Sequence, residues 1–124
     1  MNRAMRGKEH LTKPEQYELV YNKGSSWVNS LLVMKALPNG IGLSRYGLSV
    51  SKRVGKAVMR NRVKRLLREI LRLTPLPVGW DIVFIARSLV ATADYASLKK
   101  SVTGLLSQAQ LLMREHEEVC LRPN

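Results

Sequence analysis

The sequence has few of the residues that metal sites, disulfides and acid chemistry require. It holds one cysteine, Cys120, and two histidines, His10 and His116. A lone cysteine closes no internal disulfide, which fits a reducing cytoplasm. All three residues sit near the chain ends, and no CxxC or HExxH spacing brings them together, so the usual zinc sites are excluded. Acids are scarce as well, nine among 124 residues, and the only aspartates are Asp81 and Asp94. A two-metal nuclease needs several acids converging on one cleft, and here one aspartate starts a strand pattern while the other reads as a helix cap. Gly40, Gly42 and Gly47 lack P-loop spacing and precede no suitable lysine. Neither histidine stands where it could activate a serine. The expectation is therefore that this chain has no catalytic residues and no metal ligands of its own. Long apolar runs are also missing, so no segment spans a bilayer. Met1 to His10 is basic without an apolar centre and does not read as a secretory signal.

What the sequence has is positive charge. Lys and Arg number 21 against those nine acids, a formal net charge of +12. A folded domain tolerates such self-repulsion best against a polyanion, which makes nucleic acid the leading partner class. Hydrophobic residues form 45% of the chain, enough for a real core. The length suits one domain, residues 1–124, with flexible tails expected at 1–10 and 117–124.

Periodicity gives the element order. Thr12 with Glu15 reads as a capping box, and the helix it opens runs to about Lys23 and stops at Gly24. Gly24 to Leu37 is β-rich, either one strand broken near Asn29 or two short strands. Pro38 to Gly42 is a turn, and Tyr46 to Val50 alternates as a strand. Val63, Leu66, Leu67, Ile70 and Leu73 follow three-and-four spacing, so Ala57 to Leu73 is an amphipathic helix. Asp81 to Ala86 is apolar on both faces, as in a central strand. Asp94 caps a last helix whose stripe is Leu98, Val102, Leu105, Ala109 and Leu112, fraying at Glu115 to Glu118. The fold class is α+β, a two-layer α/β sandwich in the order α-β-β-β-α-β-α.

Between Lys52 and Arg72 stand nine basic residues and one acid, Glu69. Arg60, Lys64 and Arg68 are four apart and stack along one strip of the helix, with Asn61, Arg65 and Arg72 beside it. Like charges at that spacing oppose the helix by a few tenths of a kcal/mol per pair. Repeated local conflict of this kind points to an anionic ligand on that face rather than to a merely solvated one. Arginine dominates over lysine, which favours bidentate contacts to phosphate or base edges.

The run SVSKRVGKAVMRNRVKRLLREILR, Ser49 to Arg72, with the Arg-Asn-Arg element Arg60, Asn61 and Arg62 at its centre, resembles the signature of the bacterial ribonuclease P protein family. The likeness extends from about Leu11 to Leu106. It implies a subunit of a ribonucleoprotein whose RNA removes the 5′ leader of precursor tRNA and leaves 5′-phosphomonoester ends. In such a complex the protein is not catalytic alone; it binds the leader and supports the RNA and its Mg²⁺ ions. The implied partners are the catalytic ribonuclease P RNA and precursor tRNA, with no membrane and no protein partner, in the cytoplasm. By resemblance, Lys52, Arg53, Lys56, Arg60, Asn61, Arg62, Lys64, Arg65 and Arg68 face the RNA subunit. The family fold also implies a left-handed crossover between the parallel strands flanking the basic helix, against the usual right-handed rule.

Tyr17 and Tyr21 are one helical turn apart and could stack on unpaired bases or pack on the sheet. The resemblance places aromatics here in a leader cleft. Trp27, Leu32, Met34 and Ser49 are the other expected leader contacts, with Gly47, Ser49 and Ser51 small enough to admit a nucleotide backbone. Many relatives carry an aromatic near Lys35, and this chain has none there. The alternative function is a ribosomal-type RNA-binding protein or RNA chaperone with no associated reaction. A DNA-binding regulator lacks its helix-turn-helix partner here, and an interfacial membrane helix lacks aromatic anchors.

Overall fold

The structure is a computed structural model that describes residues 8–111, the Lys8 side chain apart. Elements run β1 (Lys8–His10), α1 (Pro14–Lys23), β2 (Ser25–Val28), β3 (Leu32–Pro38), β4 (Ser44–Ser49), α2 (Ala57–Leu73) and β5 (Trp80–Ala86). A 3₁₀ turn (Ser88–Thr92) and α3 (Tyr95–Gln108) complete the described chain. The α+β order therefore matches the sequence reading with one strand added in front. That strand falls in the segment expected to be a flexible tail; residues 1–7 and 117–124 lie outside the described residues.

The five strands form one sheet in the order β1-β4-β5-β3-β2. β4 and β5 pair in parallel, joined through α2, while β3 is antiparallel to both β5 and β2. β1 adds to the β4 edge in parallel, His10 opposite Tyr46. The break near Asn29 is a tight hairpin: the Asn29 Oδ1 accepts the N–H groups of Leu31 (3.1 Å) and Leu32 (3.0 Å), closing the turn between β2 and β3.

The α2 and α3 helices cover one face of the sheet. Leu32, Met34, Ile82 and Phe84 point to this face and meet Val63, Leu67, Ile70 and Leu71 of α2 and Leu98, Val102 and Leu105 of α3. These residues are fully buried. Burial of each such side chain contributes about 1.5–3 kcal/mol, against a few tenths lost per like-charge pair. The apolar stripe, not the charge, therefore decides how α2 lies. The stripe differs slightly from the sequence reading: Leu71 is buried and Leu73 is 56% exposed. Leu73 ends the helix, where the chain turns away to Pro75 and no neighbour covers it.

The first helix, α1, lies on the opposite face, where Leu11 and Val20 pack on Val83 with Tyr17, Leu37 and Ile85 around them. Its start is shifted from the expected capping box. Lys13 stands at the cap, and the Gln16 Oε1 accepts the backbone N–H groups of Lys13 (3.1 Å) and Thr12 (3.0 Å) in place of Glu15.

One ion pair joins the parallel strands on the α1 face. The Asp81 carboxylate accepts two bonds from Arg45, at 2.9 Å from Nε and 2.8 Å from Nη2, and a third from Asn39 Nδ2 at 2.8 Å. Asp81 is buried, and its hydrogen bonds to Arg45, helped by its charge, hold that guanidinium above its ordinary pKa. Replacing Asp81 by alanine should lower the unfolding free energy by about 2 kcal/mol, because charged donors lose their acceptor. Urea denaturation reads this directly, and an unchanged midpoint would show the pair to be idle.

Candidate nucleic-acid interface

Burying one side of α2 aims its charged residues outward. Asn61, Arg65 and Arg68 are exposed, and Arg60 and Lys64 are half-buried on one flank. Arg60 Nε donates to the Gly55 carbonyl at 3.1 Å, which fixes the arginine against the loop that precedes the helix. Lys52, Arg53 and Lys56 occupy that loop and are all exposed. The expected basic residues thus form one continuous surface, with one departure. Arg62 leaves the strip for the opposite flank, where its Nη2 donates to the Ala93 carbonyl at 3.1 Å, beside α3. Beyond the strip, Arg72 is bound to Glu69 at 2.7 Å.

The tyrosines stand on the other face of the sheet. The two rings are 6.4 Å apart between centroids and tilted by 53°. Tyr21 is exposed, whereas Tyr17 is half-buried and lies over Gly47. Its hydroxyl donates to the Leu11 carbonyl at 3.3 Å. Burial pushes the Tyr17 hydroxyl above its ordinary pKa, while a hydrogen bond with the Leu48 backbone pulls the other way. Burial raises the Tyr46 hydroxyl in the same way.

Strand register sorts the remaining expected leader contacts. Ser49 is on the tyrosine face, opposite Ile85. Leu32 and Met34 are not: both are fully buried under α2 and α3, so they are core residues and cannot line a cleft. Trp27 pairs with Met34 and packs on that same core, so it too leaves the leader set. Their neighbours Val33 and Lys35 take the tyrosine side instead, both half-buried, with Lys35 Nζ donating to Ser26 Oγ at 2.9 Å. Gly47 does not leave room for a nucleotide either. A Cβ there would sit within 2.6 Å of the Tyr17 ring, so the glycine exists for the tyrosine. Arg87, which sequence reasoning passed over, follows β5 directly and is exposed at the end of this face. With Arg53, Ser51, Ile85 and Ser88 it lines a pocket of about 550 Å³. Its signal in the sequence was only its position after a central strand.

Among the described residues no three His, Cys, Asp or Glu converge as metal ligands. Asp81 is committed to Arg45, and Asp94 caps α3 by accepting the Ser97 N–H at 2.9 Å, which draws its carboxyl below the usual range. Among the same residues no helix is long and apolar enough to cross a membrane.

Comparison with known proteins resolves which RNA-binding family this is. The family model for Ribonuclease P matches residues 5–110. The chain belongs to the ribonuclease P protein family. The ribonuclease P protein component of Dehalococcoides mccartyi is 49% identical over 114 residues, covering 92% of this chain and 95% of that protein. That of Caldanaerobacter subterraneus is 46% identical, covering 82% and 89%. Among solved structures, the ribonuclease P protein of Thermotoga maritima superposes with a TM-score of 0.74 at 31% identity, covering 80% of this chain and 96% of that one. A mutant of the Staphylococcus aureus protein gives 0.79 at 30% identity, covering 83% and 89%. As a ribonuclease P protein component, the chain is a subunit of an endoribonuclease of tRNA 5′ processing, and its partner is the ribonuclease P RNA subunit.

The Gly47 contact yields a direct test within this family fold. Gly47→Ala should force the Tyr17 ring off the sheet and cost about 1–3 kcal/mol, as overpacked sites do. Tyr17→Phe keeps the ring and should cost about 1 kcal/mol or less, the value of one hydrogen bond. Thermal melts of the two variants compare them, and equal losses would show that the ring does not depend on Gly47.

Proposed function

We propose that the two faces divide the work of the ribonucleoprotein. The basic surface of α2 and its preceding loop, Lys52, Arg53, Lys56, Arg60, Asn61, Lys64, Arg65 and Arg68, docks on the RNA subunit. The opposite face, with Tyr17, Tyr21 and Ser49 and with Lys35 in place of an aromatic, holds the single-stranded 5′ leader of precursor tRNA. The RNA subunit carries out the cleavage in the cytoplasm, leaving a 5′-phosphomonoester, and the protein alone has no activity. The observation that carries this reading is the sheet itself, which separates an arginine-rich helix from an open, tyrosine-edged face. Helical arginines suit phosphate, and an exposed ring such as Tyr21 offers stacking to unpaired bases at about 1–3 kcal/mol per base. Among the described residues no three potential metal ligands converge, and Mg²⁺ is assigned to RNA phosphates.

Two measurements test the division. Arg60→Ala with Arg65→Ala should weaken RNA-subunit binding and flatten its salt dependence, since fewer counterions are released; an unchanged slope would contradict phosphate contact. Tyr21→Ala, which disturbs the fold less than a change at Tyr17, should weaken precursor tRNA binding by about ten-fold, the equivalent of one lost stacking contact, and leave mature tRNA binding unchanged. Equal losses for the two tRNAs would contradict leader contact.

A further inference from the structure

A second groove opens on the α3 side of α2, between the β2–β3 turn and the start of α3, with a volume of about 510 Å³. Its walls carry hydroxyls and an ammonium: Ser30, Thr92, Ser97 and Lys100 line it. At its floor Ser101 Oγ donates to Asn29 Oδ1 at 2.9 Å, and Asn29 Nδ2 donates back to the Ser101 carbonyl at 3.1 Å, so the floor is internally braced. Leu31 is its only large apolar lining residue, which leaves little to gain from an apolar ligand.

Two guanidinium groups hydrogen-bond the backbone of residues that line this groove. Arg62 Nη2 donates to Ala93 at 3.1 Å, and Arg87 Nη1 donates to Asn29 at 2.7 Å. Each guanidinium has five N–H donors, so a single carbonyl leaves the group able to bind an anion as well. Among the described residues one acid borders the groove, Asp94, and its carboxylate already accepts the Ser97 N–H. Among the described residues, Lys100 within the groove and Arg62 beside it outnumber that one acid and leave the groove positive. Hydroxyls and arginines together suit phosphate oxygens.

We propose that this groove holds a phosphodiester segment of the ribonuclease P RNA, bound by Lys100 with Arg62, so that the RNA subunit grips α2 from both flanks. The inference rests on the reading that α2 docks on the RNA subunit and extends that footprint to α3, which the family signature does not reach. It favours the RNA subunit over the substrate because Arg62 shares its helix with Arg60 and Arg65, while the tyrosine face lies across the sheet.

The neighbouring lysines supply the test. Both Lys99 and Lys100 are exposed on α3, but only Lys100 lines the groove. In equilibrium binding of the full chain to the RNA subunit across a salt series, Lys100→Ala should make the salt slope shallower by about one, and Lys99→Ala should leave it unchanged. If both variants match the unaltered protein while Arg60→Ala with Arg65→Ala still flattens the slope, the groove is overturned and the helix reading stands. If that pair also changes nothing, the helix reading itself fails. A cleavage reagent tethered at Ser97→Cys, in a Cys120→Ser background, should cut the RNA subunit close to the groove. Cuts in precursor tRNA alone, or no cuts, would overturn the assignment.

Discussion

Val63, Leu67, Ile70 and Leu71 have to leave water, and the rest of the molecule follows from how they do so. Their burial contributes several kcal/mol in total, more than the repulsion among the arginines on the same helix can oppose. Once they are seated on the sheet, the rotation of α2 about its axis is fixed. Asn61, Arg65 and Arg68 must face solvent, Arg60 and Lys64 must take one flank, and Arg62 must turn to α3. An arrangement that would be unfavourable in an isolated peptide becomes a preorganised anion surface, with the cost of aligning the cations met by the core.

The sheet transmits this order to the opposite face. Its strands present one set of residues to α2 and α3 and the alternate set to α1, and α1 packs over only part of what it is given. Val33, Lys35, Ser49 and Ile85 stay half-buried beside Tyr17 and Tyr21. The contact of Tyr17 with Gly47 sets the depth of that face. Protein and RNA functions are thereby held on one rigid scaffold, in line with the RNA subunit being this family's partner.

The helices were legible in the sequence because their signals are local. Ala57 to Leu73 follows from three-and-four spacing, and Asp94 and Gly24 mark ends by their own chemistry. Strand β1 was not legible: Lys, Glu and His carry no strand preference, and they are extended only because the β4 edge offers parallel partners. The face assigned to Leu32 and Met34 was wrong for a related reason. β3 is apolar on both sides, so alternation alone cannot say which side meets the helices; its pairing with β5 decides. Gly47 and Ser49 looked alike as small residues, yet one lies beneath a ring and the other stays half-open. Arg62 shows the limit of motif reading, since three adjacent residues on a helix necessarily point to different sides.

The most direct test of the two-faced account is a photo-crosslinking map on the complex of this chain with ribonuclease P RNA and precursor tRNA. Photoreactive residues placed in turn at Arg65 and at Tyr21 report which strand each face meets. The account predicts crosslinks from Arg65 to the RNA subunit and from Tyr21 to the 5′ leader. Crosslinks from both positions to the same RNA, or the reverse pattern, would contradict it.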